Sequence, residues 1–173
     1  APCVLWMDEI EKGLSTDNSD SGTSQRVLGT LLTWLAEKQA PVFVVATSND
    51  ISKLPPEMIR KGRLDELFFV DLPDEKTREI IFKIHLEKRE LDTTSFNLSE
   101  LATVTEGFTG AEIEQAIVAA VYSGLSMSDT SGISVTQELL VHELRSTAPL
   151  SVVMAERLAG LRQWADERNM VRV

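Results

Sequence analysis

The sequence predicts an α/β fold in its first part and an all-helical fold in its second. Two apolar runs without helical period, residues 3–7 and 42–46, flank a segment with helical period, which is the strand–helix–strand order of a parallel sheet. A third apolar run covers residues 67–72, and the periodicity after Pro73 is helical. We therefore expect two domains: residues 1–73 hold a three-stranded parallel sheet, and residues 74–173 are helical.

Composition and charge restrict the class of protein. The chain has 173 residues, 43% of them hydrophobic, so it can bury a core. Its net charge of −10 argues against a direct nucleic-acid partner, because binding phosphates requires clustered Lys and Arg. Cys3 is the single cysteine and cannot form an internal disulfide. With no export signal and no long apolar span, we expect no membrane partner and a cytoplasmic location.

The first domain is assigned element by element. The run CVLWM, residues 3–7, has the continuous apolar character of a strand buried on both faces. Residues 13–25 are polar and predict a loop, and leucines at helical spacing predict a helix over 26–38. VFVVA, residues 42–46, is the second strand. A short helix is predicted over 55–61, with Gly62 ending it.

The second domain consists of predicted helices. Asp74 is a suitable N-cap for a helix to residue 90, with Ile80, Ile81 and Ile84 on one face. The T-x-x-E pattern starting at Thr109 is a capping box that opens a helix to about residue 123. A polar loop follows at 126–132. The other predicted helices cover residues 98–105, 136–146 and 151–168.

Polar side chains follow both strands of the first pair. Asp8 and Glu9 come directly after the first strand, and Asn49 lies three residues beyond the second. Ligands of parallel α/β sheets lie beyond the carboxyl ends of strands, where one acid could hold hydrated Mg2+ and the other could orient a water. Two structural readings remain open: the acids could begin a helix, and Asn49 could form a turn.

A pair of arginines follows the second strand. Arg60 and Arg63 are separated by a lysine and a glycine, and two guanidinium groups in this arrangement suit binding of phosphoryl oxygens. The alternative is a solvated basic turn whose charges pair with Asp65 and Glu66.

These motifs, in this order, resemble a known family. The strand ending in DE, then ATSND, then MIRKGRLDELFFVDLPD and GFTGAEIE are similar to the AAA subfamily of AAA+ P-loop ATPases, from the Walker B strand to the end of the helical lid. The resemblance covers the chain to about residue 123. The remaining sequence is similar to AAA ATPases of cyanobacteria and plastid genomes, which adds the plastid stroma as a possible location.

The resemblance implies a role for each matching residue. Asp8 would be the acid associated with Mg2+, Glu9 the residue that activates the hydrolytic water, and Asn49 the sensor-one residue. Arg60 and Arg63 would be paired arginine fingers that reach the ATP of a neighbouring subunit.

Three residues of the helical part also match the family. His85 corresponds to a histidine that lies by the adenosine, although an ordinary half-buried helix residue is an equal alternative. Gly110 and Ala111 correspond to the sensor-two region, where small residues let the helix approach the nucleotide.

One motif of the family is absent from the sequence. No G-x-x-x-x-G-K-[ST] loop occurs, so the residues that hold the ATP phosphates, and the central strand before them, are missing. The abrupt start at Ala1 predicts a chain cut from a longer ATPase, with ATP and Mg2+ bound together with the missing N-terminal half. The parent would form a homo-oligomeric ring, a hexamer, that remodels an unidentified protein, with residues 13–25 facing its pore. The chain by itself is predicted not to turn over ATP.

Two other functions are compatible with parts of the pattern. The chain could be a non-catalytic interaction module or scaffold that donates Arg60 and Arg63 to a partner ATPase. It could also be an unrelated parallel α/β fold with an acidic pocket, of the response-regulator kind. The second alternative leaves the helical half and the arginine pair unexplained.

Overall fold

The computed structural model describes residues 1–14, 21–60, 62–127 and 135–173. It divides into two compact units, Ala1–Leu67 and Phe68–Val173. The predicted mixture of an α/β part and many helices is confirmed. The predicted domain division at residue 73 stays a prediction. Of the polar loop predicted over 13–25, residues 15–20 lie outside the described residues; residues 13–14 and 21–25 are helical, so the helix predicted over 26–38 begins at residue 21. Of the loop predicted over 126–132, residues 126–127 end a helix and residues 128–132 lie outside the described residues.

The first unit contains the predicted strand–helix–strand arrangement. Strands β1 (Cys3–Met7) and β2 (Val42–Ala46) pair in parallel, with Cys3 opposite Val42 and Met7 opposite Ala46. Helices α1 (Ile10–Leu14) and α2 (Ser21–Glu37) lie between them in the chain. The small core consists of Ile10, Leu35, Leu54 and Met58. Because the strands are parallel and in register, residues 8–9 and 47–50 emerge at the same edge of the sheet.

The prediction that the first strand is buried on both faces is wrong for the described residues. The exposed fractions are 68% for Val4, 62% for Trp6 and 69% for Phe43. A strand is buried on both faces only where helices cover both. Successive side chains of a strand point to opposite faces of the sheet. The core packs against the face that holds Met7 and Val44, so the side chains on the other face of each strand stay accessible. Helix α1 is also an addition to the predicted elements.

The helix predicted over residues 55–61 is wrong. The chain instead forms a 3₁₀ helix, Ile51–Lys53, followed by turns over residues 56–59. The Asp50 carboxylate caps the 3₁₀ helix by accepting from the Ser52 amide at 3.3 Å. Pro55 and its neighbour Pro56 both lack an amide hydrogen, which favours a turn over a continuing helix. The Met58 amide closes that turn on the Pro55 carbonyl at 2.9 Å.

The second unit is a group of packed helices. Its helices are α3 (Glu75–Glu87), α4 (Leu98–Val104), α5 (Gly110–Met127), α6 (Gln137–Ser146), α7 (Leu150–Val153) and α8 (Ala155–Glu167), with a 3₁₀ helix at Thr93–Ser95. The predicted 151–168 helix is thus two helices. The core includes Phe82, Leu86, Leu101, Ile113, Ile117, Leu140 and Leu144. Within the described ranges, every helix is too short or too polar to cross a lipid bilayer.

Both predicted helix caps are confirmed. The Asp74 carboxylate accepts from the Thr77 amide at 2.8 Å. In the capping box, the Thr109 amide donates to Glu112 Oε2 at 2.7 Å, and the Glu112 amide donates to Thr109 Oγ1 at 3.3 Å. These reciprocal bonds satisfy amides that a helix cannot satisfy internally.

The isoleucines predicted to share one face of α3 are not the residues that form its buried side, although Ile81 packs against the core. Ile80 and Ile84 are 58% and 53% exposed, while Phe82 and Leu86 are completely buried. Arg78 lies on the buried side, where its Nε donates to the Ala102 carbonyl at 3.0 Å. This bond satisfies a charged group that would otherwise be costly to bury.

The predicted three-stranded sheet is also wrong as an arrangement of the described strands. The third strand is short, β3 (Phe68–Phe69), and pairs in parallel with an unpredicted strand, β4 (Val171–Arg172), whereas β1 pairs with β2. Arg162 Nε contacts both oxygens of Asp71 at 3.0 Å and its Nη2 contacts Oδ1 at 2.8 Å. Arg172 Nη1 lies 3.5 Å from Asp71 Oδ2. These ion pairs connect α8 and β4 to the segment after β3. The absence of the central P-loop strand from this chain stays a prediction.

Candidate functional site

Backbone hydrogen bonds continue beyond the ends of β1 and β2. The Thr47 amide donates to the Met7 carbonyl at 2.9 Å, and the Ile10 amide donates to the Thr47 carbonyl at 3.0 Å. The segment after β1 therefore crosses over the residue that follows β2. This crossing brings Asp8 and Glu9 beside residues 47–49.

The hydroxyl of Thr47 connects to both neighbouring acids. It accepts from the Glu9 amide at 3.0 Å and donates to Asp8 Oδ1. A hydroxyl can do both at once because it carries one hydrogen and two lone pairs. Thr47 thus fixes the backbone at Glu9 and the carboxylate of Asp8.

The carboxylate of Glu9 has a partner on each oxygen. Asn49 Nδ2 donates to Glu9 Oε1 at 2.8 Å, so the amide predicted to share this edge does reach the acid. Lys12 Nζ lies 2.5 Å from Glu9 Oε2, and this carboxylate raises the pKa of Lys12. The backbone of Glu9 is left-handed, with φ of 48°.

A further carboxylate, Glu11, supports the same edge from α1. Its side chain is buried, with 5% exposed, and its Oε1 accepts from the Asn49 backbone amide at 3.2 Å. Burial favours a higher pKa for Glu11, but hydrogen bonds from the Ser48 hydroxyl and from the amides of Glu11 and Asn49 lower that pKa overall. Glu11 is therefore an ionised acceptor at neutral pH.

The two candidate arginines lie in the loop beyond the 3₁₀ helix of the first unit. Arg63 Nη1 donates to the Glu57 carbonyl at 2.6 Å, and its amide donates to the Arg60 carbonyl at 3.2 Å. Gly62 between them has φ of 91°, a conformation that favours glycine. Arg60 is exposed and Arg63 is half-buried. These bonds are made within the loop rather than to Asp8, Glu9 or Asn49.

The three residues predicted to contact nucleotide lie in the second unit. Gly110 and Ala111 begin α5, and a Cβ placed on Gly110 would meet Ile81 Cδ1 at an ordinary 3.5 Å. His85 lies on α3, with Nδ1 3.3 Å from Glu114 Oε1. Arg89 contacts the same oxygen at 3.0 Å and lowers the pKa of Glu114.

The donor set at the strand ends suits Mg2+. This ion takes one or two carboxylates and completes its octahedron with waters and phosphate oxygens. Asp8 is an exposed carboxylate whose orientation is fixed by Thr47, and Glu9 is adjacent. The described residues contain no group of three or more His, Cys, Asp or Glu side chains arranged for a metal. A hydrated ion at this edge would have Asp8 as its protein ligand and would take its other ligands from solvent.

The sequence interpretation missed two contributors to this edge. Thr47 is the first polar residue after β2, so its position was a usable signal, but nothing in the sequence indicated which groups its hydroxyl would contact. Glu11 follows the acid pair by one residue, and its burial could not be read from the local pattern. Both act across about 38 residues of chain, between α1 and the end of β2.

Known proteins are similar to this chain over the region that contains these motifs. Residues 1–72 match the sequence profile of the ATPase family associated with various cellular activities (AAA). An AAA domain-containing protein, ycf46, from Pyropia yezoensis is 46% identical over 170 residues, 96% of this chain. This chain belongs to the AAA family. The ycf46 protein of Guillardia theta is 44% identical over 95% of the chain.

Similarity extends to an archaeal AAA protein. The cell division cycle protein 48 homolog of Archaeoglobus fulgidus is 40% identical over 118 residues, covering 66% of this chain and 16% of that protein. The chain spans 34% of the Pyropia yezoensis relative and 32% of the Guillardia theta relative. It therefore corresponds to about a third of their length.

Proposed function

We propose that this chain forms part of the hydrolytic site of an AAA-type ATPase. In the proposal, the parent polypeptide also carries a P-loop, cleaves the bond between the β- and γ-phosphates of ATP, and uses the energy to remodel a protein. It acts as a homo-oligomeric ring, a hexamer, in the cytoplasm or the plastid stroma. The 173-residue chain alone does not turn over ATP, because its sequence lacks the loop that holds the phosphates.

One contact supports this proposal most directly. The 2.8 Å hydrogen bond from Asn49 Nδ2 to Glu9 Oε1 joins the polar ends of two parallel strands into one acid–amide cluster. With Asp8 held by Thr47 beside it, the edge offers a metal-binding carboxylate, a proton acceptor and a hydrogen-bond donor. Sites that hydrolyse phosphoanhydrides commonly combine a bound metal ion with a residue that orients or deprotonates the attacking water.

The residues would divide the chemistry as follows. Glu9 accepts a proton from the attacking water, and Asn49 orients Glu9 and that water. Lys12 is largely exposed, with 69% of its side chain accessible, so its ion pair with Glu9 can be exchanged for water. Asp8 would hold Mg2+, which neutralises charge on the phosphate oxygens when bound.

The other candidate residues complete the proposal. Arg60 and Arg63 would reach the ATP of a neighbouring subunit, which makes the ring necessary for full activity. A finger supplied in trans can increase the rate about 1,000-fold or more in phosphoryl-transfer enzymes. His85, Gly110 and Ala111 would contact the nucleoside part of ATP.

The test is ATP turnover by the full-length polypeptide with Glu9→Gln as the variant. We expect the substitution to lower kcat by about 100-fold or more, while nucleotide binding persists, because the amide keeps the shape of the side chain but cannot take a proton. Glu37→Gln, an exposed acid at the end of α2, is the control and should leave turnover unchanged.

Two results would contradict the proposal. Turnover unaffected by Glu9→Gln would remove Glu9 from the reaction. If activity then appeared only when the chain was mixed with another ATPase, and disappeared with Arg60→Ala, the alternative of a module donating arginine fingers would replace the catalytic one.

A further inference from the structure

We propose that Glu11 is a positioning residue for the hydrolytic site: its buried carboxylate holds the end of β2 so that the Asn49 amide reaches Glu9. The inference rests on the proposed function and adds a residue to it. Glu11 itself does not contact the reacting groups in this role. It acts through Asn49.

The geometry places Asn49 between two acids that lie two residues apart in the chain, Glu9 and Glu11. Its side-chain Nδ2 donates to Glu9 Oε1 at 2.8 Å, and its backbone amide donates to Glu11 Oε1 at 3.2 Å. The first bond links Asn49 to the proposed proton acceptor, and the second fixes the peptide from which the side chain extends. A residue held at one point can pivot, whereas a residue held at both its backbone and its side chain has one orientation.

The chemistry of Glu11 suits such a fixed support. Only 5% of the residue is exposed; Oε1 accepts from the Asn49 amide, and Oε2 is buried with no hydrogen-bond partner among the described residues. Glutamate is rarely this buried unless it is paired or hydrogen-bonded. An ionised carboxylate accepts hydrogen bonds but cannot donate them, so it sets the direction of every N–H and O–H that faces it. The donors facing Glu11 are the Ser48 hydroxyl and the amides of Asn49 and of Glu11 itself.

The position of Glu11 gives it a role that Thr47 does not have. The Thr47 hydroxyl bonds to Asp8 and to the backbone of Glu9, whereas Glu11 bonds to the backbone of Asn49. Glu11 lies on α1, whose start is fixed by the bond from the Ile10 amide to the Thr47 carbonyl at 3.0 Å. The carboxylate therefore transmits the position of α1 to the residue that bonds Glu9.

The experiment is a double-mutant cycle in the full-length polypeptide, measuring kcat and KM for ATP. The variants are Glu11→Ala, Asn49→Ala and the combination, with Glu37→Gln as the exposed-acid control. A misplaced catalytic contact costs roughly 10- to 100-fold in rate, so we expect Glu11→Ala to lower kcat by that factor with KM little changed. In the Asn49→Ala background, Glu11→Ala should lower kcat no further.

A second variant covers the case in which Glu11→Ala does not fold. Glu11→Gln keeps an acceptor oxygen of the same reach, so it should retain more activity than Glu11→Ala. In the Asn49→Ala background, Glu11→Gln should lower kcat no further. Thermal unfolding of each variant separates a folded, slow enzyme from an unfolded one.

The outcomes discriminate between the inferences. Equal reductions of kcat by Glu11 substitutions with and without Asn49 would overturn the positioning role and leave a purely structural one. Folded Glu11 variants with wild-type kcat would overturn it as well. Failure of the proposed function looks different: the wild-type polypeptide would show no turnover, or Glu9→Gln would retain it, and both inferences would fall together.

Discussion

The ion pair between Asp71 and Arg162 allows a quantitative test of what one contact contributes to the stability of the second unit. The Asp71→Asn substitution removes the charge but preserves the size of the side chain. The pair has three contacts of 2.8 to 3.0 Å, and 18% of the Asp71 side chain is exposed. Hydrogen bonds to charged groups contribute about 1.5–3 kcal/mol when buried, whereas exposed ion pairs contribute about 0–1 kcal/mol. Because 41% of the Arg162 side chain is exposed, we expect a loss of about 1.5 kcal/mol.

Acid should abolish this contribution. Burial alone would raise the pKa of Asp71, but hydrogen bonds from Arg162 and the Leu72 amide, with the charge of Arg172, lower it overall. A pKa that is lower in the folded state means that the unfolded chain takes up the proton first. The stabilisation is therefore complete above the unfolded pKa of about 4 and is lost as the pH falls through the folded pKa.

Urea denaturation measures both effects. In a Trp6→Phe/Trp34→Phe background, Trp164 on α8 is the remaining tryptophan of the three and reports on the second unit. With a urea dependence of about 1.5 kcal/mol/M, Asp71→Asn should lower the midpoint by about 1 M at pH 7. Glu106→Gln, an exposed acid of the same unit, should change stability by less than about 0.5 kcal/mol. The reasoning is refuted if Asp71→Asn keeps the wild-type midpoint, or if the difference persists unchanged on acidification.

Two further predictions concern the helices and use the same Trp164 assay. Phe82→Ala should lower the free energy of unfolding by about 3–5 kcal/mol, because Phe82 is completely buried and its removal leaves a cavity; a loss below that of Ile80→Ala would contradict the observed orientation of α3. Thr109→Ala should cost about 1 kcal/mol through loss of the capping box, and an unchanged midpoint would show that Glu112 alone satisfies the helix start.

Features with local signals were predictable from the sequence. Asp74 and Thr109 act as caps through side chains that bond amides three residues away, so the pattern and the contact lie in the same short segment. The parallel pairing of β1 with β2 followed from two apolar runs separated by a helix.

Features set by distant contacts were not predictable. On α3 nearly every apolar residue could face inward, and the choice of Phe82 over Ile80 depends on the shape of the surrounding helices. Strand β4 consists of two exposed residues, and it pairs with β3. Asp71, just after β3, forms its ion pair with Arg162, which lies about 90 residues further along the chain. No local pattern encodes such a partner.

The candidate site also has features that the sequence predicts and features that it does not. The meeting of Asp8, Glu9 and Asn49 at one edge followed from parallel strand ends, whereas the supports Thr47 and Glu11 required knowledge of which groups meet across the crossover. The roles assigned to these residues, and to Arg60 and Arg63, stay predictions for the kinetic experiments.

The left-handed backbone of Glu9, with φ of 48°, restricts which amino acids position 9 can accept. A non-glycine residue in this conformation is disfavoured by about 1 kcal/mol or more, and asparagine and glycine tolerate it best. Glycine and asparagine would relax the main chain but discard the carboxylate, and aspartate would keep a carboxylate with a shorter reach. A substitution of Glu9 by glycine can therefore stabilise the fold while it removes the carboxylate to which we assign the proton transfer, so any requirement for the acid acts against the conformational preference of the chain.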